Sequence, residues 1–90
     1  MAKHLVLFTM EGCPHCVDFK NILKEDGLNF IDMDINKHPE EYGMFSKITE
    51  NEYVPAFMIV DDQTNLAEYF APDRDYNELD EAIKIVKEKI

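Results

Sequence analysis

Leu5, Val6, Leu7 and Phe8 form an unbroken apolar run within Lys3 to Thr9, followed by a loop containing Gly12. A short continuous run bounded by a turn signal predicts a buried strand. From Pro14 the spacing becomes helical. Cys16, Phe19 and Leu23, with Val17 and Ile22, recur every three or four residues up to about Asp26-Gly27, where Gly27 supplies a stop. Leu28 to Ile35 changes period again. Phe30, Ile31, Met33 and Ile35 are apolar, with Asp32 and Asp34 between them, which predicts a second strand. Asn36 to Glu50 predicts a second helix, with Pro39, Glu40 and Glu41 in its first turn and Tyr42, Phe45 and Ile48 as its apolar stripe.

Val54 to Val60 predicts a third strand through Ala56, Phe57, Met58 and Ile59. The polar stretch Asp61 to Asn65 then turns the chain into a fourth, Leu66 to Phe70, giving an antiparallel hairpin. Asp75-Tyr76-Asn77-Glu78 has the form of a capping box, with Asp75 as cap and Glu78 three residues later. Leu79, Ile83, Val86 and Ile90 follow down one face of a last helix. The order βαβαββα opens with a parallel βαβ unit and its right-handed crossover. It predicts an α/β fold: a four-stranded mixed sheet flanked by three helices, with helices on both faces. No repeat or linker divides the sequence, so residues 1–90 read as a single domain.

Composition narrows the function. Nineteen acidic residues against nine basic ones give a formal charge of −10. Nucleic acid and anionic membrane surfaces are disfavoured, because no basic patch is available to neutralise phosphates. The acidity serves solubility or favours partners with a basic docking face. No apolar run approaches the roughly 18 residues of a membrane span, and Leu5 to Phe8 is too short for a signal core, so the chain reads as cytoplasmic.

Two cysteines in a reducing compartment, spaced Cys13-Pro14-His15-Cys16, read as reactive rather than structural, because so short a bridge adds little chain-entropy stabilisation. The motif follows a strand and opens a helix, and Pro14 suits the first helical position. A helix N-terminus offers unpaired N–H groups and a positive dipole end. Cys13, placed at or just before that end, is expected to have a lowered pKa and to be the attacking thiolate. Cys16, one turn later and set toward the core, is expected to be the resolving thiol. His15 favours the Cys13 thiolate and Glu11 opposes it, with the helix end and His15 expected to prevail. A zinc half-site is the alternative, but a closed site needs about four ligands. The remaining histidines, His4 and His38, form no second cluster, so no metal is assigned.

These residues carry a family likeness. Phe8 to Cys16 resembles the strand–loop–C-P-x-C of glutaredoxins and thioredoxins, and Tyr53-Val54-Pro55 resembles their x-Val-Pro loop. The resemblance covers nearly the whole chain and implies a thioredoxin fold of glutaredoxin size. It also implies a cis Val54–Pro55 bond beside the dithiol and a Val54 backbone that pairs with an extended substrate. Met10 stands where glutaredoxins often carry Lys, His15 where they carry Tyr, and Ala71-Pro72 aligns with their Gly-Gly. In that family the Lys and Gly-Gly help hold the glutathione carboxylates. Asp75 matches the family's aspartate near the glutathione amine. Met10 also reads as part of an apolar substrate rim. The C-P-H-C motif itself resembles that of the bacterial periplasmic disulfide oxidase, where the histidine accompanies a thiol pKa of about 3.5 and a potential near −120 mV.

Site residues are therefore Cys13, Pro14, His15 and Cys16 for catalysis, and Met10, Tyr53, Val54, Pro55 and Asp75 for substrate. The resemblance implies a monomeric disulfide reductase with no tightly bound cofactor. Its substrates would be protein disulfides, with ribonucleotide reductase among them, or glutathione mixed disulfides. Electrons would come from glutathione as co-substrate or from a thioredoxin-reductase-like flavoenzyme. The competing readings are a thioredoxin-like reductase that does not use glutathione, an iron–sulfur-binding dimer holding its cluster through Cys13, and a non-catalytic adaptor. The intact Cys13, Cys16 and Pro55 argue against the adaptor.

Overall fold

Four apolar positions in a row leave the first strand no solvent-facing side, and the sheet is built around it. In the computed structural model, which describes residues 3–90, β1 (Lys3–Thr9) lies between two neighbours and its residues from Leu5 to Thr9 are buried. Met1 and Ala2, at the head of the stretch read as lacking an export signal, lie outside the described residues. β2 (Ile31–Asp34) pairs with β1 in parallel. β3 (Ala56–Asp61) pairs with β1 antiparallel, and β4 (Leu66–Phe70) pairs antiparallel with β3. The order across the sheet is β2-β1-β3-β4. The α/β expectation of a mixed four-stranded sheet with three helices holds.

Strand alternation divides the core in two. Leu5, Leu7, Phe57 and Ile59 point to one face, where α1 (Pro14–Glu25) adds Phe19 and Leu23 and α3 (Leu79–Lys89) adds Ala82, Ile83 and Val86. Val6, Phe8 and Ala56 point to the other, covered by Phe45 of α2 (Pro39–Thr49). Full burial of one such large side chain contributes about 1.5–3 kcal/mol. Phe57 joins strand, helix and loop, since its ring meets Phe19, Phe70 and Tyr76 at centroid distances of 5.7, 4.9 and 5.6 Å.

Several boundaries differ from the sequence pattern, each for a local reason. Leu28 closes α1 instead of opening β2, because its N–H donates to the Leu23 carbonyl across Gly27, whose φ is +71°. Residues 36–38 form a turn held by Asp34, whose side chain accepts from the Asn36 N–H and whose carbonyl accepts from Lys37 and His38, so α2 starts at Pro39. Ile48 lies at the surface, and Thr49 takes the buried position one turn after Phe45, with its hydroxyl donating to the Phe45 carbonyl. Ile90, expected on the core face of the last helix, is half-exposed at its C-cap.

The capping box is a correction. Glu78, not Asp75, is the residue that precedes α3, and it makes no side-chain cap bond. Asp75 Oδ2 instead accepts from the Ala71 N–H at 2.9 Å and from Arg74 Nη1 at 2.8 Å. Residues 71–76 therefore fold as a loop on themselves. The register Phe8↔Ala56 brings the C-terminal end of β1, the start of α1 and the loop before β3 to one edge of the sheet.

Candidate functional site

β1 delivers the chain to a loop at Met10–Gly12, and α1 starts immediately after it. Cys13 is the N-cap of α1, in extended conformation, and its Sγ accepts the Cys16 N–H at 3.2 Å. Pro14 occupies the first helical turn, where a missing N–H leaves no bond unmade. An N–H donor and the positive end of the helix dipole both face this sulfur, an arrangement that stabilises an anion.

Both cysteines are free. Both cysteines are buried, but Cys13 keeps 8% of its surface exposed and Cys16 only 1%, so Cys13 is the less enclosed of the two. Burial pushes the Cys16 thiol up to about 12. The hydrogen bond and charge of Cys13 add to the rise, while the Met10 backbone and the Lys20 ammonium act against it. The two thiols are thus made unequal: one capping and less enclosed, one fully enclosed and protonated.

Beside the dithiol runs a groove of about 380 Å³. His15, Val54 and Pro55 line one side of it, and Tyr76, Glu78 and Asp80 the other. The Val54–Pro55 bond is cis. Tyr76 fixes the walls to each other: its buried hydroxyl donates to the Pro55 carbonyl, and burial holds that hydroxyl far above the usual tyrosine range. Asn51 Nδ2 donates to the Pro72 carbonyl and makes a second tie between the same two loops.

The structure therefore brings Cys13, Pro14, His15, Cys16, Val54 and Pro55 to one place. Met10 stands on the other side of the dithiol loop and is partly exposed, beside Thr9, Lys20 and Asp32. There burial opposes the charge on Asp32, but donation from the Thr9 hydroxyl at 2.6 Å and from Lys20 Nζ at 3.1 Å outweighs it and holds the carboxyl below its ordinary range. Tyr53 lies outside the groove, with its ring exposed and its N–H donating to Asn51 Oδ1. Asp75 is engaged by Ala71 and Arg74 as described. Among the described residues no three His, Cys, Asp or Glu side chains gather into a group that could hold a metal ion.

Sequence reasoning missed Tyr76, Glu78 and Asp80 as groove residues. Their stretch was legible only as a helix start, because the pattern Asp-x-x-Glu is the same whether or not its first carboxylate finds the helix. The available signal was proximity in topology: whatever joins β4 to α3 must pass the end of β3.

A sequence model of the glutaredoxin family, described as Glutaredoxin, matches residues 5–63, which include the dithiol and the Val54–Pro55 loop. The chain belongs to the glutaredoxin family. As a member it is a thiol oxidoreductase by class. Among solved structures, a crystal structure of a mutant of the thioredoxin-like protein BC3987 superposes with a TM-score of 0.65 at 17% identity, covering 91% of this glutaredoxin-family chain and 97% of the other. That likeness shows the thioredoxin-like fold. No curated protein sequence matches the chain. The family match ends before β4, so the groove wall formed by Tyr76, Glu78 and Asp80 lies beyond it.

Proposed function

We propose that the chain reduces protein disulfides by dithiol exchange, with Cys13 as nucleophile and Cys16 as resolving thiol. The observation that carries this reading is the inequality of the two sulfurs. Cys13 is at the helix N-terminus, accepts the Cys16 N–H and is the less enclosed of the two, whereas Cys16 is fully enclosed and protonated. The Cys13 thiolate attacks one sulfur of a substrate disulfide, forms a mixed disulfide and expels the other sulfur as thiolate. Cys16 then loses its proton and attacks the Cys13 sulfur. The intramolecular Cys13–Cys16 disulfide forms, and the second substrate sulfur leaves as thiolate. Two electrons pass from the dithiol to the substrate. Two thiol equivalents, from glutathione or from the dithiol of a flavoenzyme, return the protein to its reduced state. Ribonucleotide reductase is a candidate substrate, the working unit is a monomer, and the compartment is the cytoplasm.

Cys16→Ser removes the resolving sulfur without touching the nucleophile. The variant is expected to accumulate a covalent adduct, seen by intact mass, when mixed with a disulfide-containing protein. Cys13→Ser is expected to accumulate none. Adducts on Cys16 in preference to Cys13 would reverse the roles, and adducts on neither would defeat the reading.

A further inference from the structure

The groove beside the dithiol has unlike walls. The dithiol side presents His15, Val54 and Pro55, and the far side presents Glu78 and Asp80. Among the described residues no Lys or Arg lines it. The nearest arginine in sequence, Arg74, is tied to the Tyr69 carbonyl and to Asp75. Glu78 directs no side-chain bond to the α3 backbone although it occupies the cap position. Among the described residues neither Glu78 nor Asp80 enters an ion pair, and both are exposed. An uncapped helix N-terminus would ordinarily attract an anion. Here Asp80 and Glu81 occupy the first turn of α3 just after Glu78, so an incoming carboxylate meets three like charges. The wall itself is firm, because Tyr76 and Asn51 bind it to the Val54–Pro55 side.

We propose that Glu78 and Asp80 make this groove selective for a polypeptide disulfide flanked by basic side chains, in preference to a substrate that brings carboxylates to the same place. The inference rests on the dithiol reading above and adds the substrate class to it. The basic flank pairs with Glu78 and Asp80 while its disulfide sulfur meets Cys13. The exchange itself is unchanged, and the charges act on encounter and docking.

The test uses three synthetic peptides with one disulfide each, identical except that Lys, Ala or Glu flanks the cysteines. The reduced protein is mixed with each, and oxidation of its dithiol is followed by intact mass. At low ionic strength the Lys peptide is expected to react about tenfold faster than the Glu peptide, with the gap narrowing in about 0.5 M NaCl. Glu78→Gln with Asp80→Asn is expected to remove most of the gap. A control pair of equal charge change at the opposite end of the molecule, Asp62→Asn with Glu88→Gln, is expected to keep it. Equal rates for the Lys and Glu peptides, with the Ala peptide still reduced, would overturn the inference and leave dithiol exchange standing. A gap that falls equally in the control pair would assign the preference to total charge and overturn the groove. Failure of all three peptides to oxidise Cys13 and Cys16 would defeat the functional reading itself.

Discussion

Cys13 and Cys16 are the same side chain in different surroundings, and the difference has a consequence for stability. The Cys16 thiol is raised from 9.0 to about 12, chiefly by burial. A group whose folded value lies above its unfolded value holds its proton longer in the folded chain. Its contribution is complete below about 9 and is lost as the pH rises through the folded value. The reduced protein is therefore expected to lose thermal stability on the alkaline side, from pH 9 upward. Cys16→Ser, which has no such proton to hold, is expected to decline less steeply. Melting temperatures of both reduced proteins from pH 7 to pH 10.5 check this, and parallel curves would show that Cys16 is not held protonated by burial.

At the scale of the element, the glycines show how backbone geometry decides the sign of one substitution. Gly27 ends α1 with φ at +71°, and a Cβ there would touch nothing within 4 Å. Space is available but the conformation disfavours any L side chain, so Gly27→Ala is expected to cost about 1 kcal/mol. Gly43 lies inside α2, its φ is ordinary, and its Cβ would also meet open space. Gly43→Ala is expected to stabilise the chain by about 0.5–1 kcal/mol, because alanine loses less backbone entropy on entering a helix. Denaturant midpoints for the two variants should move in opposite directions, and a shift of the same sign in both would refute the backbone argument.

Over the whole molecule, nineteen acidic side chains face nine basic ones. The ion pairs that do form, such as Lys87 with Asp26 and Lys89 with Glu68, join partly exposed groups and contribute little each. Net self-repulsion therefore outweighs local attraction. Raising NaCl from about 20 mM to about 0.5 M shortens the screening length from tens of ångströms to a few. It is expected to raise the melting temperature by roughly a few degrees as self-repulsion is screened. A fall with salt would mean that the ion pairs dominate.

Periodicity and spacing determined the α/β class, the order of all seven elements and the dithiol, whereas the loop that stands beside the dithiol was implied by the family resemblance. Their warrants are local: a strand's two faces, a helix's turn and a proline at a helix start are written in residues close along the chain. Element ends were less legible because competing local bonds decide them, as where Asp34 holds residues 36–38 in a turn and Leu28 folds back on Leu23. The destination of a side chain was not legible at all where two partners were open to it. Asp75 could cap a helix or hold its own loop, and only the path of the chain after β4 placed it against Ala71 and Arg74. The far wall of the groove belongs to the same class. Tyr76 and Pro55 are 21 residues apart, and it is the antiparallel pairing of β1 with β3 and of β3 with β4 that brings them into hydrogen-bond contact. The dithiol was thus legible in the sequence, whereas the groove beside it was decided by tertiary structure, because a groove between loops exists only once distant segments have packed.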